Sequence, residues 1–221
     1  MAKVFLSCGH GGSDPGAVGY GLKEKDINLT IGLACNEVLL RHGVITVLSR
    51  SKDENDPVAQ EVKEANASGA DIAVSFHTNA GGGDGSETFY YNSSTKGKRL
   101  AELCEKHTKA IGQNSRGIKV GNNLMFINKT TMPAVLCECA FIDNDKDNDI
   151  IDTVAEQKAF GVAYAKAILE YLGITYKDEV KVTTSDKKYA VQVGVYADKS
   201  NAENVLARLK IAGFAGFIKE V

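Results

Sequence analysis

Four short apolar runs constrain the fold of this chain more than any other feature. Each is bounded by turn or charged residues, and they are Val4–Cys8, Val44–Leu48, Asp71–Phe76 and Ala134–Cys139. Such runs predict buried strands, and a further strand is predicted at Glu87–Tyr91. Apolar residues at helical spacing predict helices at Asp26–Arg41, Lys96–Ile111 and Ile151–Leu172. This alternation predicts an α/β fold with a mostly parallel or mixed sheet and helices on both faces.

The composition is that of a globular protein of one to two domains. Of the 221 residues, 43% are hydrophobic and 24% are charged, which supplies enough apolar side chains for a core. No segment approaches 18 unbroken apolar residues, so we expect no membrane insertion. The net charge of -2 at pH 7 is unlike that of a strongly basic nucleic-acid-binding domain. We therefore expect no nucleic-acid partner.

The residue pattern changes after Gly173, where a polar and charged stretch begins. We predict one domain over residues 1–174, a linker over 175–188 and a small βαβ unit over 189–221. Within that unit, Tyr189–Tyr196 alternates as a strand and Ser200–Glu203 has the pattern of a capping box that opens a helix. Phe217–Val221 is the predicted second strand.

The five cysteines do not have the pattern of a disulfide framework, since their number is odd. Cys137 and Cys139 are the one close pair, and on a strand their side chains would share one face. Metal ligation by this pair is one interpretation. Small buried hydrophobic side chains are the interpretation that the pattern favours.

Two histidines and two carboxylates are predicted at one edge of the sheet. His10 directly follows the first predicted strand, His77 follows the third, Glu24 opens the first helix and Glu138 ends the last strand. Functional sites gather at the carboxyl ends of parallel strands. Two histidines and one carboxylate make a catalytic zinc set, and a second carboxylate can take a proton from water. Spacing alone leaves open a polar loop surface with hydrogen-bonded imidazoles.

Four motifs follow one another along the chain. They are Gly9-His10-Gly11-Gly12-x-Asp14-Pro15-Gly16-Ala17, Gly21-Leu22-x-Glu24-Lys25-Asp26-x-Asn28-Leu29, Ser75-x-His77-x-Asn79-Ala80 and Pro133-Ala134-Val135-Leu136-x-Glu138. In this order they resemble the zinc-dependent N-acetylmuramoyl-L-alanine amidases of the Amidase_3 family, over roughly residues 2–173. The resemblance implies Zn²⁺ as cofactor, His10, Glu24 and His77 as its ligands, and Glu138 as catalytic base. It also implies hydrolysis of the amide between N-acetylmuramic acid and L-alanine in peptidoglycan, which lyses the cell wall.

Other polar residues near the same edge have less specific patterns. We expect Asn79 and Asn144 to orient substrate or metal ligands. The basic segment Arg116–Lys119 fits either a contact with a peptide carboxylate or a solvated loop. Ser49-Arg50 ends the second predicted strand, where we expect a structural ion pair.

The C-terminal unit resembles half of a SPOR repeat, a peptidoglycan-binding fold with two βαβ halves. The matching residues are Tyr189-x-Val191-Gln192-Val193-Gly194-Val195-Tyr196, Asn201-Ala202, Leu206, Leu209 and Gly213-Phe214. The resemblance implies binding to glycan strands, for which we expect Gln192 and Tyr196 to supply contacts. Since only one half is present, we hypothesise a homodimer in which two such units pair.

The resemblances together predict a wall-lytic enzyme, either a phage or prophage endolysin or an autolysin. The first residues lack the apolar stretch of a secretory signal peptide, so we expect synthesis in the cytosol and action on the wall after release. Two alternatives remain: a non-catalytic peptidoglycan-binding protein, and a zinc peptidase that acts elsewhere on the stem peptide.

Overall fold

The computed structural model describes residues 1–178, 194–211 and 217–220, and the chain divides into two compact units, Met1–Asp178 and Glu179–Val221. The strands of the first unit are β1 Lys3–Cys8, β2 Val18–Gly19, β3 Leu22–Lys23, β4 Ile45–Leu48, β5 Ile72–Asn79, β6 Ser86–Tyr90, β7 Ser115–Val120 and β8 Ala134–Phe141. Its helices are α1 Glu24–Arg41, α2 Val58–Ser68, α3 Thr95–Lys109, α4 Met125–Lys129, α5 Asp145–Asn148 and α6 Val154–Tyr171. The predicted domain boundary at 174 and the linker remain predictions.

Six strands form one mixed sheet in the order β4-β1-β5-β8-β6-β7. All neighbours are parallel except β6 and β8, which run antiparallel. The predicted α/β class with a mostly parallel or mixed sheet is therefore confirmed. Two strands run further than predicted, since β5 continues to Asn79 and β8 to Phe141. His77 and Glu138 consequently lie within strands rather than at or after their ends.

Helices cover both faces of the sheet, because successive strand residues alternate between two cores. Val4 and Leu6 of β1 pack with α1, α3 and α6 in the larger core, whereas Phe5 packs with α2 and α4 in the smaller one. Helices α1 and α6 approach closely at Gly161, where a Cβ atom would lie 2.5 Å from the carbonyl oxygen of Ile31.

All five cysteines are buried and unpaired. Cys137 and Cys139 point to the same face of β8 and belong to the larger core. The interpretation as buried hydrophobic side chains is thus confirmed, and the metal-ligating alternative for this pair has no support in their surroundings.

The second unit contains one described helix, α7 Lys199–Ile211. It begins before Ser200, so this residue lies in the first turn instead of capping it as predicted. Residues 217–220 are not in a strand, and Tyr189–Val193 of the predicted first strand, like Val221, lie outside the described residues. Among the described helices, none has the length and hydrophobicity needed to cross a membrane.

Candidate metal centre and catalytic site

A tight loop after β1 brings His10 against His77. His10 has a left-handed backbone conformation with φ of 66°, and its ring centroid lies 5.1 Å from that of His77, in an edge-to-face arrangement. Gly9 allows this approach, since a Cβ atom there would lie 2.3 Å from the His77 ring. The loop therefore needs glycine at this position to bring the two imidazoles together.

Glu24, the first residue of α1, lies between the two histidines. Its Oε1 is 2.9 Å from Nδ1 of His77 and 3.2 Å from Nε2 of His10. Its Oε2 accepts a hydrogen bond of 2.8 Å from the backbone N–H of Ala17. Burial raises the pKa of Glu24, but the hydrogen bonds from His10 and His77 outweigh this effect and hold the pKa well below its usual range. The carboxylate is thus kept ionised.

The three side chains form a candidate metal site. One ligand atom from each of His10, Glu24 and His77 can be chosen so that all three lie within 4.8 Å of one another. Nδ1 of His10, which faces away from Glu24, lies 2.8 Å from the Asp14 carboxylate. A carboxylate in this position fixes the orientation of a ligating imidazole.

Glu138 lies beside this cluster, in register with His77 on the neighbouring strand β5. Paired residues on adjacent strands point to the same face of a sheet. Oε2 of Glu138 is buried and has no hydrogen-bond partner among the described residues. Burial raises the pKa of Glu138 to about 7, although the charge of His77 opposes this shift. A carboxylate with such a pKa can take and return a proton near neutral pH.

Arg50 and Asn28 hold the loop that carries His10. The buried Arg50 guanidinium donates to the carbonyl oxygens of Cys8 at 2.7 Å and Lys25 at 2.6 Å. The amide of Asn28 donates to the carbonyl oxygen of Gly9 at 3.1 Å. Arg50 thus has a structural role through backbone carbonyls, and among the described residues it forms no ion pair, contrary to the prediction.

Comparison with known proteins shows the family of this chain. The sequence profile of the N-acetylmuramoyl-L-alanine amidases matches residues 4–170. The chain belongs to this family. A second profile, that of the SPOR domain, matches residues 162–220 of the amidase chain, which is a longer segment than the predicted half repeat and starts within α6.

Curated relatives include both host and phage proteins. The amidase chain is 32% identical to the sporulation-specific N-acetylmuramoyl-L-alanine amidase of Bacillus subtilis, over 99% of this chain and 84% of that protein. It is 40% identical to the endolysin of Bacillus phage SPP1, over 74% of this chain and 66% of that protein. The expected kinship with autolysins and endolysins is confirmed.

Solved structures have the same fold. The catalytic domain of an N-acetylmuramoyl-L-alanine amidase from Bacillus (Paenibacillus) polymyxa matches with a TM-score of 0.74 and 34% identity, over 79% of this chain and all of that one. The amidase AmiC2 of Nostoc punctiforme matches with a TM-score of 0.73 and 32% identity, over 78% of this chain and 97% of that one.

The residues predicted to contact substrate lie in different surroundings. The Asn79 amide donates to Glu87 at 3.0 Å, whereas the Asn144 side chain accepts from Lys146 and Asp147 and caps α5. Tyr196 is 40% exposed, and Gln192 lies outside the described residues. These substrate and glycan roles remain predictions.

The sequence pattern alone assigns no role at this site to Asp14, Asn28 or Glu87. Asp14 and Asn28 stand in the quoted motifs, which was the available signal. For Glu87 the one signal in the sequence is that a charged residue stands in a short predicted strand. The segment Arg116–Lys119, for which a solvated loop was one interpretation, belongs to the edge strand β7.

Proposed function

We propose that this chain is a zinc-dependent amidase that hydrolyses the bond between N-acetylmuramic acid and L-alanine in peptidoglycan. The family supports the reaction, and one observation at the site supports the mechanism: a buried carboxylate oxygen of Glu138 without a partner, beside the His10, Glu24 and His77 cluster. Two imidazoles and one carboxylate are a donor set that suits zinc and leaves a position open.

The residues present fit such an ion. His10, Glu24 and His77 would hold it, with the ionised Glu24 supplying negative charge and Asp14 orienting His10. When bound, zinc supplies a Lewis acid that polarises a carbonyl group and makes water more acidic.

Glu138 acts on the proton in this proposal. Its carboxylate takes a proton from the attacking water, which allows the oxygen to add to the lactyl carbonyl carbon. The protonated Glu138 then gives the proton to the nitrogen of L-alanine as the C–N bond breaks. Burial suits the side chain to both steps, because it brings the pKa close to neutral pH.

For the C-terminal part we propose binding to peptidoglycan, supported by the SPOR match over residues 162–220. The division into residues 1–174, a linker over 175–188 and a unit over 189–221 belongs to this proposal, as does a homodimer formed by that unit. Light scattering of the full chain and of a chain ending at residue 178 tests the dimer. A monomeric full chain at working concentration would contradict it.

Digestion of purified peptidoglycan tests the function. Wild-type protein, chelator-treated protein and Glu138→Gln are incubated with the wall, and newly freed amino termini are identified. The proposal predicts new L-alanine amines with the wild type alone. A new amine on another residue would indicate a zinc peptidase, whereas sedimentation with the wall and no new amine would indicate a binding protein.

A further inference from the structure

A row of polar side chains runs across the sheet from the candidate metal centre. His77 of β5 is in register with Glu138 of β8, and Glu138 is in register with Glu87 of β6. Paired residues share a face, so all three side chains lie on the same side of the sheet. The next strand, β7, has an irregular register opposite Glu87, and Arg116 lies at that point. This row of polar side chains therefore ends at the positively charged Arg116 on the edge strand β7.

Arg116 is held in place by a hydrogen bond to Glu87 and by a cation–π contact with Phe141. Its Nε donates to Oε2 of Glu87 at 3.0 Å, and its guanidinium lies 5.0 Å from the centre of the Phe141 ring. The other oxygen of Glu87 accepts from Asn79 at 3.0 Å. Stacking on an aromatic ring and a fixed Nε reduce the freedom that an arginine loses when it binds an anion.

The donor groups of Arg116 are only partly used. Within the described part of the chain, Nε is the one nitrogen of this guanidinium with a hydrogen-bond partner. The side chain is 42% exposed, whereas Glu87 beneath it is 10% exposed. The two terminal nitrogens thus remain available as a planar pair of donors, which is the geometry that binds a carboxylate.

The support beneath Arg116 is rigid. Phe141 is buried, and a Cβ atom at Gly83 would lie 2.3 Å from its ring, so the glycine-rich loop packs directly on it. The backbone N–H groups of Gly81 and Gly82 both donate to the Asp143 carboxylate, at 2.8 and 3.0 Å. This loop therefore positions the ring on which the guanidinium rests.

We propose that Arg116 binds a carboxylate of the stem peptide, carried by the residue that follows the L-alanine released by cleavage. The inference rests on the proposed function, because it takes Glu138 as the point where the amide is cut. Neighbouring strands lie about 4.8 Å apart, so β7 is about 10 Å from β8. An extended peptide advances about 3.5 Å per residue. L-alanine and the residue after it, together with the length of the Arg116 side chain, therefore span the distance from Glu138 on β8 to β7.

A pair of substrates tests the proposal. The probes are the γ-methylamides of N-acetylmuramoyl-L-alanyl-D-glutamate and of N-acetylmuramoyl-L-alanyl-D-isoglutamine, which differ only in an α-carboxylate against an α-carboxamide. The kcat and KM values of wild type, Arg116→Gln and Arg116→Lys are measured on both. Arg99→Gln is the matched control, because Arg99 lies in a surface ion pair with Glu170 on α6.

We expect wild type to prefer the carboxylate substrate and Arg116→Gln to lose about tenfold or more of that preference, mainly through KM. Arg116→Lys keeps the charge without the planar donor pair and is expected to lie between the two, with Arg99→Gln like wild type. Equal losses on both substrates would overturn the proposal and leave Arg116 as a partner of Glu87 alone. Wild type without activity on either substrate or on peptidoglycan would instead contradict the proposed function.

Discussion

Oε1 of Glu24 lies 2.9 Å from Nδ1 of His77, although the two residues are 53 positions apart in the chain. The same oxygen is 3.2 Å from Nε2 of His10, so one carboxylate oxygen meets two imidazoles, one from the loop after β1 and one from β5. Helix α1 supplies the carboxylate with its first residue. The candidate metal centre is therefore a product of the parallel pairing of β1 and β5 together with the start of α1.

Removing one imidazole is expected to remove the metal. His77→Ala deletes a donor from a site with three protein ligands, so stoichiometric zinc binding is lost. Zinc content after dialysis and the shift of Tm on adding zinc measure this loss, since a ligand stabilises only a state that binds it. His107→Ala is the control, because His107 bonds to Glu170 on the surface. Equal zinc retention in both variants would contradict the assignment of His77.

Removing the base is expected to separate chemistry from metal binding. Glu138→Gln keeps the shape of the side chain but cannot accept the proton of water, so the rate falls about a hundredfold to ten-thousandfold. Because Glu138 is outside the proposed ligand set, zinc content stays that of wild type. The surface variant Glu102→Gln serves as control, and a Glu138→Gln enzyme of near wild-type rate would exclude this residue as the base.

Arg50 is expected to support both stability and the metal centre. Arg50→Gln leaves buried carbonyl groups of Cys8 and Lys25 without their charged donor, at a cost of about 2–4 kcal/mol in the free energy of unfolding. Loosening of the His10 loop is expected to weaken zinc affinity by about tenfold or more. Urea unfolding and zinc titration measure the two effects. The control Arg99→Gln is expected to change stability by less than about 0.5 kcal/mol, and equal values for both variants would contradict the role of Arg50.

The titration of Glu61 in α2 is expected to change the free energy of unfolding within a defined pH range. Burial raises its pKa from the usual 4.5 to about 6, although a hydrogen bond with Ser7 opposes the shift. The folded state therefore holds this proton more tightly than the unfolded state, and the contribution of Glu61 to stability falls as pH rises from about 4.5 to 6. The ionised group costs the folded state about 2 kcal/mol above that window.

Glu61→Gln removes the ionisation. We expect its free energy of unfolding to exceed that of wild type by about 2 kcal/mol at pH 8, and the difference to vanish near pH 4. Urea unfolding of chelator-treated protein measures this without a contribution from bound metal. Glu102→Gln, on an exposed position, is expected to show no such window. A pH-independent difference for Glu61→Gln would indicate a packing effect instead of titration.

The central strands could be predicted from sequence because their burial on both faces leaves continuous apolar runs. β7 was not predicted because it is a polar edge strand without a fully buried residue, and it contains the two charged residues Arg116 and Lys119. α2 escaped because only Val62 and Ala65 among its apolar residues are buried, so its pattern is too narrow to indicate a helix. An apolar run in the sequence indicates an element that is buried, and β7 and α2 are only partly buried.

The four side chains of the candidate site could be predicted from the sequence, but the residues that hold them in position could not. His10, Glu24, His77 and Glu138 stand in motifs, and the parallel sheet brings them to one edge. The contacts of Arg50 and the register of Glu87 beside Glu138 depend on pairings between distant segments, which no local pattern encodes. The strand predicted from sequence ends at Phe76 because His77, Thr78 and Asn79 are polar, although these three residues continue β5.

Stepwise reloading of metal-free protein tests the central claim most directly. Zinc is added in fractions of an equivalent, and bound zinc and the rate of L-alanine amine release from peptidoglycan are measured on the same samples. The account predicts that both rise together and level off at about one zinc per chain. Full activity in protein that holds almost no metal would contradict it.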